Sequence, residues 1–116
     1  MGLVMGADDF RVNLSLKETI RRLDSGIVDG SFTGERIDYY VVMGNDENGV
    51  IVLVYEKHFQ RAGNRLTLTV TVDNMNGFTK IHSIAAGGGQ GLFRFDWGAG
   101  EKFTCAPRRV LEDNII

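Results

Sequence analysis

His58, His82 and Glu56 are the side chains of this chain best suited to acid–base chemistry or to holding a metal. A neutral imidazole is both a general base and a metal ligand, and a nearby carboxylate can orient it. These residues become neighbours only in one strand register. If Gly63-Asn64 closes a two-residue hairpin, His58 faces Thr69 and Glu56 faces Thr71. If the next turn sets Thr69 against His82, Thr71 meets Lys80. His58, Thr69 and His82 then share one row of a polar sheet face, beside a row of Glu56, Thr71 and Lys80, an arrangement fit for a hydrolase-like or metal-dependent enzyme. A one-residue slip sends His82 to the other face. The competing reading is a solvated face with ordinary cross-strand pairs.

A second chemistry lies in Gly87, Gly88, Gly89, Gln90 and Gly91. Consecutive glycines let backbone N–H groups converge on an anion. Arg61, Arg65 and Arg94 are the cations expected to complete such an anion or nucleotide site. A phosphate loop of the nucleoside-triphosphatase type needs Lys-Ser/Thr after the glycines, and Leu92-Phe93 stand there instead. A tight bend is the structural alternative. Lys57, Arg61 and Arg65 also gather with His58 and Asn64 at one hairpin tip, a pattern that equally keeps a sheet end soluble. Cys105 stands near the expected start of the last helix, where a thiol can gain nucleophilicity, but no Cys-His-Asn pattern accompanies it.

The elements that must position these groups are mostly strands. Arg65-Leu-Thr-Leu-Thr-Val-Thr-Val72 alternates apolar and threonine side chains, giving one dry and one wet face. Residues 31–43 and 50–59 precede it as strands and residues 78–86 follow it. Val50, Val52 and Val54 oppose Ile51, Leu53 and Tyr55, so that strand reads as buried on both sides. Lys57 falls on the inward face, as a snorkelling stem or the mark of a bulge. Residues 92–97 form a possible fifth strand, with Phe93, Phe95 and Trp97 on one side; that segment is read as core, or as a patch for a second subunit. An amphipathic helix is expected at residues 15–25, opened by the capping box Ser15/Glu18 and stopped at Gly26. A second helix closes the chain on Phe103, Val110 and Leu111, with Thr104 as its cap or a kink at Pro107.

The 116 residues suffice for one domain, 1–116, with its own core. A formal net charge of −2 without basic blocks weighs against a nucleic-acid binder. One cysteine fits a reducing compartment, and the N-terminus does not read as a signal peptide. The longest apolar run, Val50 to Tyr55, is far too short to cross a membrane as a helix.

Val54-Tyr-Glu-Lys-His-Phe-Gln-Arg61, Leu66-Thr-Leu-Thr-Val70, Gly87-Gly-Gly-Gln-Gly91 and Phe95-Asp-Trp-Gly98 together resemble a family of small uncharacterised bacterial proteins over about residues 15–113. The resemblance implies a stand-alone bacterial cytoplasmic protein and supplies no catalytic residue. Pro107 departs from it.

The expectation is therefore an α+β fold: a four- to five-stranded antiparallel meander packed by an N-terminal and a C-terminal helix. Both helices should cover the Leu66/Leu68/Val70/Val72 face. The expected role is a non-enzymatic cytoplasmic module that binds itself as a homodimer or binds another partner. A small anionic ligand at Gly87–Gly91 is the first alternative and an enzyme on His58, His82 and Glu56 the second. No cofactor or resident metal is expected.

Overall fold

The alternation in residues 65–72 is satisfied by burying one side of the strand it forms. The structure, a computed structural model, describes residues 6–30, 33–59, 64–87 and 97–116. Five antiparallel strands make one sheet: β1 (Asp8–Val12), β2 (Glu35–Gly44), β3 (Gly49–Phe59), β4 (Asn64–Asp73) and β5 (Thr79–Gly87), in the spatial order β1-β5-β4-β3-β2. β4 is central, and its Leu66, Leu68, Val70 and Val72 are all buried. Ile51, Leu53 and Tyr55 of β3, and Ile81 and Ala85 of β5, continue the same face.

Among the described residues, helices close over this face and not the other. α1 (Leu16–Asp24) contributes Leu16, Ile20 and Leu23 to the core; α2 (Trp97–Thr104) contributes Phe103. α3 (Ala106–Val110) lies beside them, followed by Leu111 and a short 3-10 turn at Glu112–Asn114. Two buried hydrogen bonds join α2 to β5. Ser83 Oγ donates to the Thr104 carbonyl (2.9 Å), and the Ala85 N–H donates to Thr104 Oγ1 (2.9 Å). They satisfy polar groups that would otherwise be stranded in the core.

The expected first helix forms, and the Glu18 N–H donates to Ser15 Oγ (3.1 Å). The reciprocal half of the capping box is absent: the Glu18 carboxylate accepts from Arg21 and Arg22 instead. Those bonds hold it well below the usual carboxylate range, at about 2. Gly26 does not stop the helix. The chain continues through one turn of π-helix, Ser25–Asp29, and ends at Gly30. Gly26 serves a different need, because a Cβ there would lie 2.6 Å from a methyl of Val110. Glycine allows α3 to approach that close. At the other end of the molecule, Gly44 has φ +74°, which opens the β2–β3 turn at no steric penalty.

The break expected near Pro107 is present. α2 ends at Thr104, α3 begins at Ala106, and Pro107 occupies the first turn of α3, where its missing N–H does no harm. β1 is a strand not expected from the sequence; of the strand expected at residues 92–97, residues 92–96 lie outside those described, and Trp97 opens α2. Both hairpin registers also differ from expectation. Tyr55 pairs with Leu68 rather than Val72, because β4 already begins at Asn64, which pairs with Phe59 at the end of β3. Thr69 pairs with Ile84 rather than His82. Val50, Val52 and Val54 are half-buried, so among the described residues β3 is fully covered on one side only.

Truncation of Leu68 to alanine should lower unfolding free energy by about 2–5 kcal/mol, as for buried leucines generally. Thr69→Ala, one residue along and on the open side, should change it by less than about 1 kcal/mol. Urea denaturation of both variants measures the contrast.

Candidate functional site

The face of the sheet opposite the helices is where Glu56, His58, Arg65 and His82 fall. Parity along each strand puts Asp9 and Arg11 of β1, Lys80, His82 and Ile84 of β5, Thr67, Thr69 and Thr71 of β4, and Val50, Val52, Val54, Glu56 and His58 of β3 on that face.

His58 and His82 do share this face but not a row. His58 lies across from Arg65. His82 lies across from Thr71, which pairs on its other side with Val52. Six strand positions from 52 to 58 separate the two imidazoles, about 20 Å at strand rise. The expected row of His58, Thr69 and His82 therefore does not form, and Glu56 lies across from Thr67, not Thr71. Each residue has local partners instead. Glu56 Oε2 is 3.9 Å from Arg65 Nε. Thr33 Oγ1 donates to the His58 carbonyl (2.9 Å) and accepts from the His58 N–H (3.2 Å). His82 Nδ1 meets Asp9 Oδ1 at 2.8 Å. That imidazole–carboxylate pair has a cross-strand threonine, Thr71, but no hydrogen bond joins Thr71 to it. With both members largely exposed, nothing there excludes water or collects donors for a developing oxyanion.

Of the expected anion site, Gly87 ends β5 with φ +139°, and Arg65 stands beside Glu56. Gly88, Gly89, Gln90, Gly91, Arg61 and Arg94 lie outside the described residues. Cys105 is half-buried between α2 and α3. Among the described residues no group of three or more His, Cys, Asp or Glu side chains could hold a metal ion, and no helix is long and apolar enough to cross a membrane.

Two features were not legible beforehand. The first is a polar chain at the end of α1. Tyr55 is fully buried, and its hydroxyl donates to Asp24 Oδ1 (2.7 Å). Asp24 Oδ2 accepts from Arg36 (2.6 Å), whose guanidinium also lies 4.8 Å from the Tyr39 ring centroid. The chain ties α1, β3 and β2 together. Burial, and then the bond to Asp24, push the Tyr55 phenol far above its ordinary range. The second feature is β2 itself. Every residue from Glu35 to Gly44 is exposed, including Tyr40 at 59% and Met43 at 57%. The run Tyr39-Tyr-Val-Val-Met43 lies bare on an edge strand, next to the half-exposed valines of β3. The signal for it was the unbroken apolar run, but sequence cannot say that the helices stop short of the edge.

A family model described as a family of unknown function (DUF6054) matches residues 5–114, and the chain belongs to that family. No curated protein and no solved structure matches it.

A phenol whose proton is held more tightly in the folded state stabilises the fold fully below its unfolded value of about 10, and this contribution is lost as pH rises beyond it. Tyr55→Phe should cost about 1–2 kcal/mol at neutral pH. It should also flatten the fall in stability above about pH 10. Denaturation curves of wild type and variant at neutral and alkaline pH measure both effects.

Proposed function

We propose that this family member is a small non-enzymatic module that works as a homodimer, two copies packing the open faces of their sheets together. One observation carries the reading: β2 and β3 expose an apolar surface that no other described residue covers. Ile37, Tyr40, Val42 and Met43 are all exposed, and Val50, Val52 and Val54 are half-exposed beside them. A bare patch of this kind on a soluble domain marks an interaction surface. β3 carries the composition of a strand buried on both sides, and a second sheet supplies the missing cover.

Self-complementarity argues for a second copy as the occupant. A two-fold axis laid along β3 brings Val50, Val52 and Val54 against themselves, and residues on such an axis must tolerate their own kind. It also lays β2 of each copy over β4 of the other. The large Tyr40 then meets small threonines, Thr69 and Thr71, and Glu35 approaches the partner's Arg65. Two sheets pack face to face in this way with their strands nearly aligned. Edge-to-edge addition at β2 is the poorer geometry, because bulges between Arg36 and Asp38 and between Val41 and Met43 interrupt the ladder a new strand would need. The compartment that fits the single free thiol of Cys105 is the cytoplasm.

Light scattering of the wild type at micromolar concentration should return twice the chain mass. Val52→Lys should return the single mass with stability changed by less than about 1 kcal/mol, since the side chain is half-exposed. Glu35→Arg or Arg65→Glu alone should weaken the dimer, and the two together should restore part of it. A wild type of single mass at every concentration overturns the proposal.

A further inference from the structure

The opposite edge of the sheet carries a different chemistry. β1 is the outer strand there, and Arg11 lies directly across from Lys80 of β5 on the open face. Like charges in that position repel. Among the described residues neither cation forms an ion pair, and the nearest carboxylates have hydrogen-bond partners of their own. Asp9 is bound to His82 (2.8 Å). Asp8 takes both Nε and Nη2 of Arg108 (2.8 and 2.9 Å). Asp73, the other cross-strand neighbour of Lys80, accepts from the Met75 N–H (3.2 Å). Among the described residues, the Arg11 guanidinium has one partner, the Phe78 ring, 5.3 Å from its centroid. Among the same residues Lys80 has no ion pair.

These two cations border a cleft of about 590 Å³ that wraps the β1 edge. Its walls include Phe78, Asn76, Phe10 and Ile116, and Asp9, whose carboxylate meets His82. Phe78 is 46% exposed, an aromatic ring open to the cleft with a guanidinium above it. Arg108 forms the far wall, already fixed by Asp8 and stacked 4.9 Å from the Phe10 centroid. Clefts of this size hold small organic molecules. An anion at Arg11 and Lys80 would relieve their repulsion and gain charge-assisted hydrogen bonds from both.

From this the geometry points to a binding site for an organic phosphate monoester with a planar apolar body. The phosphate lies between Arg11 and Lys80 and the apolar body lies against Phe78. A phosphate monoester carries close to two negative charges at neutral pH, matching the two unpaired cations. A monocarboxylate leaves one of them uncompensated. The guanidinium offers two parallel donors to the phosphate oxygens, and the ammonium adds a point charge. This site is independent of the proposed dimer, whose axis runs along β3 and leaves β1 outside the contact.

Phenyl phosphate is the probe. Titrated at low ionic strength into the full chain, it should perturb the backbone amide signals of Arg11, Phe78 and Lys80 in a saturable way and raise the melting temperature. Inorganic phosphate should bind at least several-fold more weakly, benzoate likewise, and benzyl alcohol should leave the signals in place. Arg11→Gln with Lys80→Gln should remove the response, while light scattering shows the same mass as wild type. No saturable response to phenyl phosphate overturns the site, as does a response that survives in the double variant. Equal binding of inorganic phosphate overturns the role of Phe78, and equal binding of benzyl alcohol overturns that of the cations.

Discussion

Leu66, Leu68, Val70 and Val72 lie along the middle of the central strand, and water is excluded from all of them. Their burial is the constraint from which the rest of the structure follows. A strand with period-two alternation has to offer its apolar row to a second layer. β3 and β5 extend the row sideways, and α1, the π-helical turn and the two short C-terminal helices supply the layer above. Thr104 then pins α2 to β5 through Ser83 and Ala85, so the layer is held by directional bonds as well as by apolar contact.

The same constraint leaves the other side of the sheet without a layer among the described residues. That side is not uniform. Towards β2 it is apolar, with valines on β3 and bare aromatic and aliphatic residues on the edge strand. In the middle it is a ladder of threonines. Towards β1 it is charged, with Arg11 and Lys80 facing each other beside an aromatic ring. An apolar half and a charged half suit different occupants, and this division underlies the two proposals, self-association at one edge and anion binding at the other. The Tyr55–Asp24–Arg36 chain stands between the two layers. It orients Arg36 at the start of β2 and so helps set how far the edge strand projects beyond the helices.

Much of the architecture was legible because its causes are local. Ser15 announced α1, and Pro107 announced the break between α2 and α3. The threonine alternation announced β4 and its two faces. The candidate site was less legible. Both hairpin offsets differ from the expected ones, by four residues at Tyr55 (Leu68 in place of Val72) and by two at Thr69 (Ile84 in place of His82). Both differences are even numbers. Apolar patterning sets which face a residue occupies, and an odd slip would have exposed the core row. It does not set the offset along the strand, which depends on how many residues the turn consumes. His58 and His82 were therefore assigned the right face and the wrong rows.

Sequence alone determined the fold class, the central dry row, the first helix and the side of the sheet that faces away from the core, since each follows from periodicity within a few neighbouring residues. Tertiary structure decided everything that needs distant segments to meet. β1 joins the sheet only by pairing with β5, some seventy residues away (Asp8 with Ser83). Tyr55 finds Asp24, Gly26 makes room for Val110, and Arg11 comes to face Lys80. Such meetings depend on loop closure and on how far one layer overlaps another, quantities that no local pattern of residues encodes.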